Sequence, residues 1–390
     1  MTAVKNFHSA LTGAPTLSGT AGSLIAVLDA CLVDGFGLKT ADSVTVSGGK
    51  ATINISTGHP YEADLIVLVA GATPAGLNGL KRIESTTTTA ATFDATGIAD
   101  GAATGTITVK IAPAGWQKVY SGTNIAVYRS QDVTGTRMYL RVDDTGTTNA
   151  RVVGYESMTD ANTGSGMFPT ALQVSGGGYW PKAGSSGTAA RAWTVIADSR
   201  SFWLHMHTNT TFLGINGSVW GFGDFASYKS GDAYACTLWC APSDISTGSS
   251  QNTYVAEYTP AQLLAGPFAP RPYTGLGGSV NIGHYTESYA VSGGVSGYTS
   301  QSSVPSYPNG PNNGMFFSRK VVGEVGLALR GVCRGILTTP QVCHSLFNWR
   351  DKIQGQGDYV GRKLLAVKCG SPFSTSSAGV VFFDITGPWA

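Results

Sequence analysis

The chain has 390 residues, of which only 12% are charged, and its formal net charge at pH 7 is +2. An average soluble domain is roughly 25% charged, and no run of Lys or Arg occurs here, so the composition argues against nucleic-acid binding. No stretch approaches the roughly 20 apolar residues of a membrane helix, which argues against membrane insertion. With 42% hydrophobic residues and 52 glycines, the chain is typical of a packed, turn-rich, mainly β protein.

Residues 1–42 predict an N-terminal arm and one helix. Residues 1–22 are rich in Gly, Ser, Thr and Ala, which indicates an extended arm that folding of the rest does not require. The helix is expected to begin at a Ser23 cap and to end at Gly35. Its apolar stripe can pack on the following β-domain or on a neighbouring subunit. We expect docking to other subunits through the apolar residues Leu24, Ile25, Leu28, Leu32 and Phe36.

Residues 43–112 predict a small β-module. Its strand candidates alternate apolar and polar residues, as half-buried strands do. The turns between them are marked by Gly48-Gly49 and Asn78-Gly79, and Asn-Gly is a strong hairpin signal. The candidates are "SVTVS", "ATINIS", "LIVLVAG", "KRIEST", "AATFDA" and "TITVKI".

Residues 113–390 predict a larger β-sandwich-like body, with divisions near residues 170 and 330. Its clearest hairpin is "TRMYLRV" and "ARVVGYE" around the turn "DDTGTTN". A long Gly/Ser/Pro/Asn loop spans Ser292 to Gly314 and is a second docking candidate. Near the C-terminal end, "TTPQVCHSLFNWRDK" is expected to form a short helix.

Two short patterns could hold a metal ion, and each has an ordinary structural alternative. His205 and His207 in "FWLHMHTN" would share one face of a strand, which suits metal binding; the alternative is two exposed strand histidines near a loop. Asp143 and Asp144 could bind Ca²⁺, but the EF-hand spacing is absent, so hairpin-turn aspartates that accept backbone hydrogen bonds are favoured.

The six cysteines are too sparse for a disulfide framework, and we expect buried, reduced thiols. Cys236 and Cys240 lie within the strand-like "YACTLWC", and no second ligand pair follows them. Cys343 and His344 are adjacent, and a core thiol beside a surface histidine is favoured over a catalytic pair.

No catalytic motif stands out, because the G-x-S-x-G elbow and the phosphate-loop patterns are absent. Carboxylate pairs could serve a glycosidase, and exposed aromatic rings could stack on sugars, although aromatic residues are more often core residues. The carboxylates considered are Glu156, Asp160, Asp224, Asp232 and Glu287, and the aromatic residues are Tyr179, Trp180, Trp193, Trp203 and Trp220.

Several segments resemble structural proteins of tailed-bacteriophage virions. The stretch from Trp116 to Asp160 carries this resemblance, as do "GFGDFASYKSGDAYA" and the ending "FDITGPW". The pieces "STGHPYEADLIVLVAGA", "LNGLKRIEST" and "AATFDA" are similar to a small β-module of phage tail and fibre proteins.

The resemblance implies a virion component that assembles in the host cytoplasm and binds copies of itself and other virion proteins. It implies neither catalytic residues nor a cofactor. A tail-tip, baseplate or collar subunit is the first placement, and a capsid decoration or head-fibre protein is the second. The alternative from another class is a receptor-binding protein that binds or depolymerises host glycans, for which a groove lined by Trp and Tyr is expected.

Overall fold

The fold is mainly antiparallel β-structure, as the sequence predicts. A computed structural model describes residues 3–209, 217–244, 267–286, 314–324, 329–339, 341, 343–370 and 378–389. The loop expected between Ser292 and Gly314 lies outside the described residues, except for Gly314 itself. None of the helices in the described ranges is long and apolar enough to cross a membrane.

The N-terminal segment is part of the body and not a free arm, which corrects the sequence-based expectation. Strand β1 (Lys5–His8) forms one edge of the largest sheet and pairs antiparallel with the strand Trp193–Ala197, so that Phe7 lies opposite Val195. Val4 and Phe7 are fully buried. Because these apolar side chains complete the core, deleting residues 1–22 would expose it. The first two strands are β1 (Lys5–His8) and β2 (Leu17–Gly19).

The helical segment is α1 (Ser23–Leu28), which continues as a π-helix over Asp29–Asp34 and ends at Gly35, as predicted. Ser23 is not its cap, because Gly22 occupies the cap position. The Oδ2 atom of Asp144 accepts hydrogen bonds from the amides of Leu24 (2.7 Å) and Ile25 (3.2 Å). A carboxylate 120 residues away therefore satisfies the free N–H groups of the helix.

An eight-stranded antiparallel sheet follows, in the order β3-β10-β6-β7-β8-β5-β4-β9. All six predicted strands are present, and Phe36–Thr40 joins them as an edge strand. Gly48 and Gly49 form a two-residue hairpin with φ of 56° and 76°. The strands are β3 (Phe36–Thr40), β4 (Ser43–Ser47), β5 (Lys50–Asn54), β6 (Ile66–Ala70), β7 (Gly79–Thr86), β8 (Ala90–Asp94), β9 (Gly101–Ala102) and β10 (Thr108–Ile111).

The Asn78-Gly79 pair is not a tight hairpin. A 3₁₀ turn at Ala75–Leu77 lengthens the connection between β6 and β7. The Asn78 side chain accepts a hydrogen bond from the Ala72 amide (2.8 Å) and donates one to the Ala72 carbonyl (2.7 Å). The asparagine therefore closes this loop with its side chain.

A five-stranded sheet in the order β11-β12-β13-β14-β17 contains the predicted hairpin, with Tyr139 opposite Tyr155 and Asp143 opposite Arg151. Its inner face joins the main core. The strands in this region are β11 (Trp116–Gly122), β12 (Ile125–Ser130), β13 (Tyr139–Asp143), β14 (Asn149–Tyr155), β15 (Ser157–Met158), β16 (Gly164–Ser165), β17 (Gly178–Pro181) and β18 (Gly187–Arg191).

The largest sheet of the described residues runs in the order β1-β19-β20-β21-β23-β24-β25-β26-β27-β30-β29-β28, and β22 pairs with β27 beside it. Its strands are β19 (Trp193–Ala197), β20 (Ser201–Met206), β21 (Ser218–Asp224), β22 (Ala226–Ser227), β23 (Cys236–Trp239), β24 (Phe268–Ala269), β25 (Val280–Thr286), β26 (Ser318–Glu324), β27 (Leu329–Thr338), β28 (Lys352–Gln354), β29 (Lys363–Gly370) and β30 (Ala378–Asp384).

In the described part of the predicted C-terminal helical segment, the helix is one short 3₁₀ turn at His344–Leu346; another 3₁₀ turn follows at Gly357–Tyr359. The apolar residues of this segment point to separate partners. Phe347 packs edge-on against Phe382 of β30, and the Trp349 indole donates to the Thr194 hydroxyl (3.0 Å). A single helical face could not make both contacts.

Ion pairs and hydrogen bonds of charged side chains join the region of the eight-stranded sheet to the C-terminal part of the chain. The Asp64 carboxylate pairs with Lys352 (2.9 Å) and Lys363 (2.6 Å). The Arg82 guanidinium donates to the carbonyls of Ile385 (3.0 Å) and Thr386 (2.9 Å). These bonds join residues about 300 positions apart, so the N-terminal and C-terminal parts of the chain form one block.

Candidate functional site

A cleft lies where β22 pairs with β27 on the body sheet. It consists of two adjoining cavities of about 550 Å³ and 260 Å³, and both are lined by Ala226, Ser227 and Arg334. We name the larger cavity the polar chamber and the smaller one the aromatic chamber. The polar chamber is closed on one side by the loop Thr134–Thr136, and the aromatic chamber by the last residues of β30 and the C-terminal tail.

Two of the carboxylates considered in the sequence, Asp224 and Asp232, both line the polar chamber. Asp224 accepts hydrogen bonds from the Thr136 amide (3.0 Å) and hydroxyl (2.5 Å). Burial raises the pKa of Asp224, and these bonds oppose the rise only in part. Asp232 accepts from the Ser227 hydroxyl (2.8 Å) and pairs with Arg330 (3.1 Å). Both carboxylates therefore have structural partners.

The loop beside the polar chamber is held by Asp132. Its carboxylate accepts hydrogen bonds from Arg200 Nε (2.9 Å), the Ser199 hydroxyl (2.9 Å) and the Thr134 amide (3.0 Å). Burial alone would raise the pKa of Asp132, but hydrogen bonds from Thr134, Arg200 and Ser199 outweigh it and lower the pKa. The ionised carboxylate thus fixes the chamber wall.

Trp389 forms one wall of the aromatic chamber. Its indole N–H donates to the Asp384 carbonyl (2.7 Å). A Cβ atom added to Gly335 would lie 2.0 Å from the indole ring, and Gly335 has φ of 71°, so only glycine fits beneath the ring. Tyr228 is 54% exposed at the rim. Tyr359 completes the aromatic lining and packs edge-on against Phe317.

Arg334 separates the two chambers. Its Nη2 atom donates to Asp198 Oδ2 (2.6 Å) and to the Trp389 carbonyl (3.2 Å). Asp198 is fully buried, and its Oδ1 atom accepts from the amides of Arg200 (2.8 Å) and Ser201 (2.9 Å). The floor of the cleft is therefore a rigid hydrogen-bonded network.

The side chains that line the cleft can bind a ligand through hydrogen bonds, but they include no activated nucleophile. None of the described lining residues is a histidine, and the thiol of Cys333 is buried, which raises its pKa to about 12. Hydroxyl, carboxylate and guanidinium groups line both chambers, and the aromatic chamber adds the rings of Tyr228, Tyr359 and Trp389. Such a surface suits a polar, uncharged organic molecule.

The histidine pair is buried, so the alternative of two exposed strand histidines is wrong. His205 and His207 are both 0% exposed, with ring centroids 4.5 Å apart. The Nε2 atom of His205 lies 2.8 Å from the Lys368 carbonyl. Burial, with His207 nearby, holds the pKa of His205 well below its ordinary value. The described residues contain no group of three or more His, Cys, Asp or Glu side chains arranged to hold a metal ion.

Asp143 and Asp144, the two aspartates of the predicted turn, have different hydrogen-bond partners. The Asp143 carboxylate accepts from the Thr145 amide (3.2 Å), as a hairpin-turn residue does. Asp144 is fully buried and pairs with Lys182, whose ammonium also donates to the Thr20 carbonyl (2.7 Å). The favoured interpretation therefore holds for Asp143, while Asp144 links the turn to the helix.

The apolar residues proposed for docking lie mostly inside the chain's own core. Leu24, Leu28 and Leu32 are 0% exposed, and only Ile25 and Phe36 keep partial exposure. The helix stripe packs on the chain's own strands, which was one of the two arrangements considered. Because these three leucines are already covered, they offer no surface to another subunit in this conformation.

None of the remaining carboxylate and aromatic candidates that the structure describes lines the cleft. Glu156 binds Arg271 through both oxygens (2.6 and 2.8 Å), and Asp160 accepts backbone hydrogen bonds in an exposed turn. Glu287 lies outside the described residues. The Arg151 guanidinium covers the ring of Tyr179. The tryptophans considered for sugar stacking are buried core residues: Trp180, Trp193, Trp203 and Trp220. All six cysteines are buried free thiols, as predicted.

Sequence reasoning missed most of the cleft, including Tyr228, Arg334 and Trp389. A usable signal was present, because "GFGDFASYKSGDAYA" supplies Asp224 to Asp232 and "FDITGPW" supplies Asp384 and Trp389. Both segments were noticed for their resemblance. Their meeting in space depends on the pairing of β22 with β27, which local patterns do not reveal.

No protein-family model and no curated protein matches the chain. Among solved structures, the endosialidase of phage phi92 is similar over 90% of this chain and 52% of that chain, with 10% sequence identity and a TM-score of 0.17. The chain thus spans about half the length of that enzyme chain. The similarity is a distant one to a phage protein and is too weak to indicate a shared fold, site or activity.

Proposed function

We propose that this chain is a structural subunit of a tailed-phage tail and works by assembling with copies of itself and with other virion proteins. The observation that carries the proposal is that several charged side chains are buried and form ion pairs inside the chain. Asp144, Asp198 and Arg330 are each fully buried and ion-paired within the chain. The resemblance of several segments to virion proteins supports the same role.

The internal use of charge leaves a surface suited to close packing. A net charge of +2 over 390 residues gives little repulsion between copies. Neutral polar groups also lose less on desolvation than ions do. A rigid block with such a surface can be placed beside identical blocks at low energetic cost.

We place the contact between copies at two neighbouring loops. Leu172 is fully exposed and Leu276 is 74% exposed. The loops that carry them are joined by Gln173, whose side-chain amide donates to the Ser279 carbonyl (3.1 Å) and Asn281 Oδ1 (3.1 Å). A second copy would bury both leucines, and the weak repulsion between copies favours this occupant.

The test is purification of particles from the phage that encodes the chain, followed by mass spectrometry and light scattering of the isolated protein. We expect the chain in particles and an oligomer in solution. The double substitution Leu172→Glu and Leu276→Glu should reduce the oligomer, because it places charges in the contact. Val360→Glu is the matched control, since Val360 is 76% exposed in a different part of the body.

A monomer that is absent from particles would refute the proposal. An oligomer that tolerates both glutamates would refute the location of the contact but not the assembly role. Gold labelling on particles then distinguishes the tail, which we propose, from the head surface.

A further inference from the structure

We infer that the aromatic chamber binds a carbohydrate, with a sugar ring against the exposed ring of Tyr228 and its hydroxyl groups bonded to the neighbouring polar side chains. This inference goes beyond the assembly role and does not depend on it. The residues that line the chamber all lie in the described part of the chain.

The dimensions of the cleft fit a short glycan. The aromatic chamber has about 260 Å³, near the lower end of small-molecule sites, which begin at roughly 300 Å³. It adjoins the polar chamber of about 550 Å³ across Ser227 and Arg334. A ligand that begins in one chamber can therefore extend into the other, as an oligosaccharide does.

The wall behind the exposed Tyr228 ring is held in place before any ligand binds, because Trp389 is only 5% exposed. Trp389 is fixed by its hydrogen bond to Asp384 and by its close fit on Gly335. The Tyr228 amide donates to the Arg330 carbonyl (2.8 Å), which anchors the residue while its ring stays exposed at the rim. Sugar rings have apolar C–H faces that pack on aromatic rings, and a preformed platform reduces the entropy lost on binding.

The polar lining favours an uncharged ligand with many hydroxyl groups. Arg319, Arg334 and Arg362 supply donors, and Asp358 and Asp384 supply acceptors. Arg362 already pairs with Asp384 (3.2 Å), and Arg334 pairs with Asp198. An anionic ligand would have to compete with these carboxylates. A hydroxyl group donates and accepts, so it can bond to both types of side chain.

The test is binding of the purified full-length chain to an array of immobilised bacterial glycans, followed by titration with the glycans that bind. Tyr228→Ala removes an exposed ring and should weaken binding by roughly five- to tenfold. Tyr228→Phe keeps the ring and should bind nearly as the wild type does. Asp358→Asn changes an exposed acceptor of the chamber and should also weaken binding.

Phe316→Ala is the control, because Phe316 is 51% exposed, close to the exposure of Tyr228, and lines neither chamber. It should leave binding unchanged. Absence of binding across the array would overturn the inference, as would binding that survives Tyr228→Ala and Asp358→Asn. Particle incorporation is measured separately, so failure here leaves the assembly proposal standing.

Discussion

Replacing Asp144 should have one of the largest effects on stability of any single substitution in this chain. The Asp144 carboxylate accepts from two amides of α1 and pairs with Lys182, and both charged side chains are 0% exposed. In Asp144→Ala the Lys182 ammonium loses its carboxylate partner and keeps its hydrogen bond to the Thr20 carbonyl. Breaking a buried ion pair from one side costs about 3–5 kcal/mol, and loss of the helix cap costs about 1 kcal/mol more.

The same geometry predicts that removing both charges is milder than removing one. Burial raises the pKa of Asp144 and lowers the pKa of Lys182, in each case against the attraction of the partner. Desolvation therefore outweighs pairing for both groups. Asp144→Asn combined with Lys182→Met keeps an oxygen for the helix amides and leaves no buried charge. We expect the double variant to regain part of the loss, with a coupling energy of about 1–3 kcal/mol.

The assay is urea unfolding followed by tryptophan fluorescence, for which the chain has eight tryptophans. The expected order of unfolding free energy is wild type, double variant, then Asp144→Ala. Asp144→Asn alone and Lys182→Met alone complete the cycle with the wild type and the double variant. Losses that simply add would refute the reasoning, because additivity means that the two side chains do not interact. A loss below about 1 kcal/mol for Asp144→Ala would refute the claim that the carboxylate caps the helix.

Three further outcomes follow. Gly335→Ala should lower the unfolding free energy by roughly 2 kcal/mol or more in the same urea assay, because φ is 71° and the added Cβ meets the Trp389 ring; a neutral result would contradict this packing. Asp132 has its folded pKa below its ordinary value of 3.8, so its stabilisation is complete above that pH and is lost as the pH falls through the folded pKa. Asp132→Asn should therefore cost stability at pH 7 and progressively less as the pH falls below 4, and a pH-independent cost measured by thermal unfolding would argue against it. Finally, a thiol reagent should modify the six buried cysteines slowly in the native chain and completely in denaturant; rapid reaction of the native protein would contradict their burial.

The strands of the small β-module were predictable because their pattern is local. In β4, Val44 and Val46 face the core while their neighbours face solvent, so alternation alone locates the strand. Gly48 and Gly49 then fix the hairpin, since both adopt positive φ. Each of these signals lies within a few residues of the structure that it specifies.

The role of Asp144 was not predictable, because its partners are distant in sequence. The turn assignment for "DDTGTTN" is correct for Asp143, which bonds only two residues away. Asp144 reaches a helix 120 residues earlier and a lysine 38 residues later. A local pattern identifies a residue that favours turns, but the contacts that it makes depend on tertiary structure.

The helix and the histidine pair show a related limit. An apolar stripe predicts that one face of a helix is covered, but it does not say by which chain. Leu24 and Leu28 proved to be covered by their own chain. The spacing of His205 and His207 predicts a shared direction on β20, but the sequence does not say whether that direction is solvent or core.

The chain has few charged residues, and several of them form bonds between distant parts of the fold. Charged groups hold together segments that are far apart in sequence: Asp64 bonds to Lys352 and Lys363, and Arg334 bonds to Asp198. The bonds of Asp64 join the N-terminal module to the C-terminal strands although the two lysines are 31% and 36% exposed, and the pair of Arg334 with Asp198 is buried. The surface can then be built from uncharged polar residues without loss of cohesion inside. That division of roles suits the packed subunit that we propose, and the hydrogen bonds of Arg334 and Asp198 also hold the floor of the cleft.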